Sequence, residues 1–293
     1  MRFGLVGTGP WATMAHGPGL VAARDVDLVG VWGRRPEKAE ALAGSLGVTA
    51  YDDYDALLAD VDAVALAVPP AVQAEMALVA ARAGKHLLLD KPVAMDVEAA
   101  RAVRDAATAA GVASVVFFTD RFIDGSRDWF RQVTSTAGWR GGWLRWFSSL
   151  QQDDNPFGSS PWRQESGALW DTGPHALSTL GAALGPVVSV RAVGGDGDLV
   201  TLVLRHESGA SSTVSLTQFA PPAAAGFEAV VWGETGLLPM PPRPESDPSI
   251  PFATAAEELV ASAANGEPHL VDLAFGTHVV ELLADAQAQL NAG

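Results

Sequence analysis

The fold is decided by the first stretch of the chain, residues 2–12, which reads RFGLVGTGPWA. The apolar run 3–6 predicts a short buried β-strand, and Gly7 and Gly9 follow it directly before a helical stretch begins. A strand, a glycine-rich turn and a helix in this order predict the first crossover of a doubly wound α/β domain.

Each small residue of this turn has a physical reason to be there. Gly7 permits the tight turn, Gly9 lets the backbone approach a pyrophosphate, and Ala12 can replace a third glycine where the helix packs on the strand. Pro10 and Trp11 lie between them, at a helix start whose N–H groups would face the anion. Turns from strand to helix favour glycine in general, but this position makes all five residues candidates for binding a dinucleotide.

The end of the second predicted strand bears on which dinucleotide binds. An NAD-selective domain normally places an acidic residue here for the ribose hydroxyls, and this chain has Gly33, Arg34 and Arg35. A guanidinium can bind a 2′-phosphate with two hydrogen bonds, whereas a carboxylate would repel it. The sequence therefore predicts NADP, with NAD the less favoured cofactor; the alternative is that both arginines are simply solvated.

Composition narrows the class of protein. The 293 residues are 48% hydrophobic and 18% charged, which is typical of a folded chain of two domains. The net charge of -15 would repel nucleic acid and anionic lipid, so neither is an expected partner. The chain has no cysteine, and we expect no metal site. Because the first strand starts at residue 3 and no apolar run reaches spanning length, we expect a cytoplasmic protein with no membrane segment.

Periodicity predicts two domains, residues 1–119 and 120–293. In the first, short strands alternate with amphipathic helices, which indicates a parallel sheet. The predicted strands are 3–6, 28–32, 63–68, 86–89 and 114–118, and the predicted helices include 36–45, 72–83 and 97–110. In the second, strands separated by Gly and Asp clusters indicate an antiparallel sheet. These strands are 143–150, 187–193, 199–205, 212–219 and 228–232, followed by an extended surface connector, 239–251, and helices 253–264 and 273–290.

Taken together, several motifs resemble the Gfo/Idh/MocA family of oxidoreductases, named for glucose-fructose oxidoreductase and inositol dehydrogenase. The motifs are the glycine turn, Val68-Pro69-Pro70, the run Ala83-Gly84-Lys85-His86 leading to Asp90-Lys91-Pro92, and the block 166–175, SGALWDTGPH. The resemblance implies a Rossmann domain with a doubly wound parallel sheet and a C-terminal α+β domain with a large open, mainly antiparallel sheet. It also implies an active site in the cleft, homo-oligomers formed through the C-terminal sheet, and sugars, polyols or their derivatives as substrates.

The resemblance also assigns roles to individual residues. Lys91 should lie beside the nicotinamide and the substrate, and Pro92 should shape its turn. Pro69, Lys91 and Pro92 are all candidates for contact with the cofactor. His175 should be the acid/base, with Asp171 close by. A carbonyl that accepts hydride develops negative charge on oxygen, so a fixed cation and a proton donor would lower the barrier. Lys91 and His175 have the chemistry for those two tasks.

Other candidates and departures from the family pattern concern the substrate. Arg121, at the domain crossing, could line the substrate site or tie the domains together. Most of the tryptophans in the first part of the second domain are expected in the core or an interface; Trp162, with Arg163, is the best substrate candidate among them. Asp90 stands where Glu is usual, Gln73 where His often follows the Pro-Pro turn, and Ser178 where Asp often ends the helix motif.

The predicted function is an NADP-dependent oxidoreductase acting on a small hydroxyl or carbonyl compound. Two alternatives stay open. The first is a regulatory protein that binds the dinucleotide without turnover. The second is an enzyme that recycles bound cofactor in a redox-neutral reaction.

Overall fold

The computed structural model describes residues 1–149, 161–243 and 247–292, except for the side chains of residues 161 and 163–165. Contacts divide the chain into two compact units. The first consists of Met1–Phe122 with Glu245–Val280, and the second of Ile123–Pro244 with Glu281–Gly293. The predicted second domain began at residue 120 and ran to the end of the chain, whereas here Glu245–Val280 groups with the first unit.

The first unit is built on a sheet of six strands, which is parallel as the sequence predicted. Its strands are β1 (Arg2–Val6), β2 (Asp27–Trp32), β3 (Thr49–Tyr51), β4 (Ala63–Leu66), β5 (His86–Asp90) and β6 (Ser114–Phe117). They lie in the order β3-β2-β1-β4-β5-β6. The order reverses between β1 and β4, so the turns after these two strands meet at the point where open α/β sheets bind ligands.

Helices connect these strands. They are α1 (Gly17–Ala22), preceded by a π-helical turn (Ala12–His16), then α2 (Pro36–Leu46), α3 (Tyr54–Asp60), α4 (Pro70–Arg82) and α5 (Val97–Ala110). The sequence analysis did not include β3 and α3. β3 is a three-residue edge strand with no buried residue, so it has no hydrophobic pattern to reveal it.

The second unit contains a six-stranded, mostly antiparallel sheet, which confirms the predicted class. Its strands are β7 (Trp139–Phe147), β8 (Val187–Gly194), β9 (Val200–His206), β10 (Ser211–Thr217), β11 (Gly226–Gly233) and β12 (Gly236–Pro239). The order is β12-β11-β7-β10-β9-β8, and the pair β7 and β10 is parallel. β7 starts four residues before the predicted strand, whose last residue, Leu150, lies outside the described residues.

The helices of this unit include α6 (Asp124–Ser135), α7 (Pro161–Asp171) and α8 (Gly173–Leu184). The helices α7 and α8 pack on one face of the sheet, against β7, β8 and β10. α7 is kinked at Gly167, whose φ of 63° and ψ of -169° lie in a region that essentially only glycine adopts.

The last two helices are α9 (Ser249–Asn265) and α10 (Leu273–Ala292). α9 packs against α1, β5 and β6 of the first unit. The predicted surface connector 239–251 is wrong at its end, because α9 begins at Ser249 and Pro251 is buried within its first turn. Prolines are compatible with a first turn, since its N–H groups have no partner inside the helix.

The described helices include none with the length and hydropathy of a membrane span. Within the same residues, no three His, Asp or Glu side chains gather in a way that could hold a metal ion.

Candidate active site

The glycine turn after β1 has the geometry that dinucleotide binding needs. Gly7 has a φ of 120°, its N–H donates to the carbonyl of Trp32 at 2.8 Å, and a Cβ there would lie 2.3 Å from the carbonyl oxygen of Ala67. A Cβ on Gly9, by contrast, would meet no atom within 4 Å. Gly7 therefore lies directly against the backbone of Ala67, the residue that follows β4. The space over Gly9 is open to a ligand.

The helix start beside this turn suits an anion. Ala12 is fully buried, Trp11 is half-buried and Pro10 is exposed. No acidic residue lies in the first turn, and no side chain caps it. The N-terminal N–H groups and the positive end of the helix dipole therefore have no competing carboxylate in that turn.

A cavity of about 290 Å³ lies next to the glycine turn. It brings together the residues that follow three neighbouring strands: the glycine turn after β1, Gly33, Arg34 and Arg35 after β2, and Val68 and Pro69 after β4. Trp32, Val72 and Met76 add apolar walls. Among the described lining residues none is acidic, and no described carboxylate pairs with Arg34 or Arg35. The cavity is a local basic site on an acidic chain, and its cradle fits a dinucleotide.

Lys91 lies in the turn after β5 and is only 8% exposed. Its backbone N–H donates to the carboxylate Oδ1 of Asp90 at 2.8 Å, and the peptide bond to Pro92 is cis. The shorter Asp90 therefore still caps this turn where Glu is usual.

Gln73 supports the same turn. It is 1% exposed and belongs to the first turn of α4. Its Nε2 donates to the carbonyls of Asp90 at 2.7 Å, Pro92 at 3.1 Å and Val93 at 3.3 Å, while its Oε1 accepts from the N–H of Asp90 at 2.8 Å. These side-chain hydrogen bonds of Gln73 are therefore all with backbone groups of the turn.

His16 lies beneath the turn at the end of β5. Its ring stacks on Phe252 at 3.9 Å between centroids, and its Nε2 is 3.7 Å from Oδ2 of Asp90. Complete burial lowers the pKa of His16 to about 3, so the imidazole is neutral near pH 7. The contact with Asp90 is then neither an ion pair nor a hydrogen bond.

The second unit carries the other two predicted catalytic residues, Asp171 and His175. Asp171 is the last residue of α7 and His175 lies in the first turn of α8; both are 7% exposed. The N–H of Thr172 donates to the carbonyl of Ala168 at 2.9 Å, and the N–H of Ala176 donates to that of Thr172 at 3.2 Å. Helical hydrogen bonds thus continue across the junction, which is the condition under which a spacing of four places two side chains on one face.

Two residues that the sequence analysis missed hold Asp171 in place. Gln218, at the end of β10, is fully buried and donates from Nε2 to the Asp171 carboxylate at 2.9 Å. Asp198, in the loop before β9, accepts from the N–H of Ala168 at 3.1 Å, from the Thr217 hydroxyl at 2.6 Å and from the Gln218 N–H at 3.0 Å. A single carboxylate therefore ties the end of β10 to the helix that carries Asp171.

Trp146 contacts His175, with 5.4 Å between ring centroids. The Arg243 guanidinium lies 4.3 Å from the same indole ring. Other tryptophans serve the unit's own packing, as expected: Trp129 and Trp170 are buried and donate to Leu238 and Gln287. Side chains along β7 alternate between the two faces of the sheet, and Leu144 and Trp146 lie on the face that the helices cover. This period of two is the sequence signal that could have identified Trp146.

The three substrate candidates are placed as follows. Arg121 is half-buried in a 3-10 turn, Thr119–Arg121, of the first unit. Trp162 is half-buried near the start of α7, and the side chain of Arg163 lies outside the described residues.

Ser178, the other departure from the family pattern, is buried in α8 of the second unit, at 1% exposure.

The sheet order, glycine turn and cavity of the first unit define a Rossmann NAD(P)-binding domain, joined in this chain to an α+β unit. Family comparisons match the same two parts. Residues 1–118 match "Oxidoreductase family, NAD-binding Rossmann fold", and residues 137–238 match "GFO/IDH/MocA C-terminal domain". The chain belongs to the Gfo/Idh/MocA family.

Similar proteins include sugar dehydrogenases. The D-xylose 1-dehydrogenase (NADP(+)) 2 of Haloferax volcanii is 35% identical over 125 residues, 42% of this chain and 38% of the relative. The D-glucoside 3-dehydrogenase of Escherichia coli K12 is 33% identical over 138 residues, 46% of this chain and 39% of the relative. The chain thus aligns with less than half the length of these relatives. A solved levoglucosan dehydrogenase, in complex with NADH and levoglucosan, shares the fold with a TM-score of 0.86 at 18% identity, covering 100% of this chain and 97% of that one.

Proposed function

We propose that the protein is an NADP-dependent oxidoreductase that transfers hydride between the nicotinamide and a hydroxyl or carbonyl group of a sugar, polyol or derivative. The observation that carries the proposal is the cavity that joins the Gly7–Gly9 turn to Arg34 and Arg35. The named activities of the aligned relatives, which act on sugar hydroxyls, support the substrate class.

The choice of NADP depends on Arg34 and Arg35. The named cofactors of similar proteins include both NADP and NADH, so similarity to these proteins alone favours neither NADP nor NAD. Both arginines line the cavity where an acidic residue would hold the ribose of NAD, and a guanidinium suits a 2′-phosphate. When bound, the cofactor supplies or accepts the hydride.

Two residues of this chain are proposed to handle the substrate oxygen. Lys91 supplies a fixed positive charge that stabilises an alkoxide. His175 gives or takes the proton, because an imidazole can do both near neutral pH. Asp171, held by Gln218, orients the imidazole. During oxidation the alcohol proton passes to His175 and the hydride leaves carbon; reduction reverses both movements.

The first test is a calorimetric titration of cofactor-free protein with NADP(H) and NAD(H). We expect tight NADP(H) binding and much weaker NAD(H) binding. Folded protein that binds neither would overturn the proposal, and a preference for NAD(H) would overturn the cofactor choice alone.

The second test screens sugars, polyols and their keto forms by nicotinamide absorbance, followed by variants. Lys91→Met and His175→Ala should each lower kcat about 100-fold or more. Lys38→Met, at an exposed site on α2, is the matched control and should leave turnover unchanged. Full activity in the His175→Ala variant would refute the acid/base role. Tight cofactor binding with no turnover on any compound would favour the regulatory alternative.

A further inference from the structure

The turn that carries Lys91 is held from one side by a single buried amide. Gln73 contacts the backbone on both sides of Lys91: the N–H and carbonyl of Asp90 before it, and the carbonyls of Pro92 and Val93 after it. Three backbone carbonyls converge on one end of this amide and one N–H points at the other. That pattern also fixes which end is nitrogen, because a flipped amide would set its oxygen against three carbonyls.

We infer that Gln73 is a positioning residue for Lys91. A buried lysine in a turn can place its ammonium reproducibly only if the backbone of the turn is fixed, and a misplacement of about 1 Å can cost 100-fold in rate. Gln73 fixes it with one side chain that both donates and accepts. A carboxylate of the same shape could not donate to the carbonyls, and an apolar side chain could do neither.

The location of Gln73 separates this role from cofactor binding. Its neighbours on α4, Val72 and Met76, line the cavity beside the glycine turn, whereas Gln73 does not. Its loss should therefore disturb Lys91 while leaving intact the cavity at the glycine turn, Arg34 and Arg35, where the proposal places most of the NADP(H) contacts. The catalytic consequence rests on the proposed function, but the effect on the turn itself does not.

The amino-acid composition offers a direct readout of this turn. The chain has three lysines, Lys38, Lys85 and Lys91. Labelling with ¹⁵N-lysine therefore gives three backbone amide signals, and a Lys91→Arg variant identifies the one of interest. The Lys91 N–H is hydrogen-bonded to Asp90, while those of Lys38 and Lys85 bond to Arg35 and Ala80 and serve as internal references.

The experiment compares hydrogen exchange in three variants without substrate or cofactor. Gln73→Met keeps the shape and loses every polar contact; Gln73→Glu keeps the acceptor and loses the donors. Both should speed exchange at Lys91 at least tenfold and leave Lys38 and Lys85 unchanged. Ser262→Ala, which removes the hydrogen bond from a buried hydroxyl to the carbonyl of Glu267 near the end of α9, is the control and should leave Lys91 protected.

The same variants then test the consequence for catalysis. With a substrate from the screen, Gln73→Met and Gln73→Glu should lower kcat 10- to 100-fold while the Kd for NADP(H) stays within threefold. Unchanged exchange at Lys91 in both variants would overturn the inference. Faster exchange with unchanged kcat would overturn the positioning role. If the unmodified protein binds no cofactor, the proposed function fails, and the exchange result still decides whether Gln73 holds the turn.

Discussion

Arg34 is the residue whose chemistry bears most on the choice between NADP and NAD. It lies two residues after the end of β2, lines the same cavity as Gly7 and Gly9, and is exposed. Gly33 keeps this segment close to the glycine turn, because a Cβ there would lie 2.6 Å from the Thr8 side chain. A phosphate on the adenosine ribose would therefore meet a cation already placed beside the pyrophosphate cradle.

We predict that Arg34→Ala weakens NADP(H) binding about 10- to 100-fold, the effect of losing hydrogen bonds to a charged group. NAD(H) binding should change less than about twofold, because NAD has no 2′-phosphate. Calorimetry on both cofactors measures the two constants. Lys38→Ala removes a nearby exposed charge that does not line the cavity, and controls for long-range electrostatics. An equal loss for both cofactors would contradict a phosphate contact.

His16 should make the fold sensitive to acid. Its pKa is about 3 in the folded chain against an ordinary value of 6.5, because burial penalises the charged ring. Between these two values the unfolded chain binds the extra proton, so stability rises with pH across that range and falls as pH drops below 6.5. A single such group contributes about 1.4 kcal/mol per pH unit.

We predict that His16→Leu lowers the slope of the unfolding free energy against pH between pH 4 and 6. The decrease should correspond to about one fewer proton taken up on unfolding. Leucine can occupy the apolar site between Phe117 and Phe252 without a titrating group. Urea unfolding at several pH values measures the slope for both proteins. Parallel slopes would show that the histidine is not protonated on unfolding in this range.

At the level of secondary-structure elements, the loop before β9 stabilises the junction of α7 and α8. The Asp198 carboxylate accepts from Ala168, Thr217 and Gln218, and so joins a kinked helix to the end of a strand. We predict that Asp198→Ala costs about 2 kcal/mol, because part-buried N–H groups lose their acceptor. The melting temperature should fall by roughly 4–8 °C. Asp196→Ala, in the same loop but exposed, should leave it nearly unchanged.

Local patterns predicted the elements and motifs here far better than the contacts between them. The strand at 3–6 and the helix 97–110 were evident because burial imposes a period that the sequence displays. The hydrogen-bonding roles of Gln73 and Gln218 were not evident. Gln73 bonds to Asp90, 17 positions away, and Gln218 bonds to Asp171, 47 positions away. Such contacts depend on which strands become neighbours, and no local pattern encodes that.

At the scale of the molecule, one face of the second sheet bears on self-association. The helices α7 and α8 pack on the side of Leu144 and Leu216, and the opposite side presents exposed apolar residues. Pairing of the strands places Val203 beside Thr213 and Trp143, and Leu237 beside Trp232, all on that opposite side. Val203, Trp232 and Leu237 are 45%, 41% and 65% exposed. An apolar sheet face of this kind is typical of a surface that a second subunit covers.

We predict that the protein forms a homo-oligomer through this sheet face, and that the double variant Val203→Glu, Trp232→Glu is monomeric. In a two-fold interface each introduced carboxylate meets the same patch of the partner, so the repulsion is repeated on both sides. Sedimentation velocity at several concentrations gives the mass, and circular dichroism checks that the strands persist. Leu270→Glu, at an apolar position of the first unit that is 81% exposed, should leave the assembly intact. A monomeric unmodified protein would refute the interface, and an oligomer that survives the double variant would place it elsewhere on the chain.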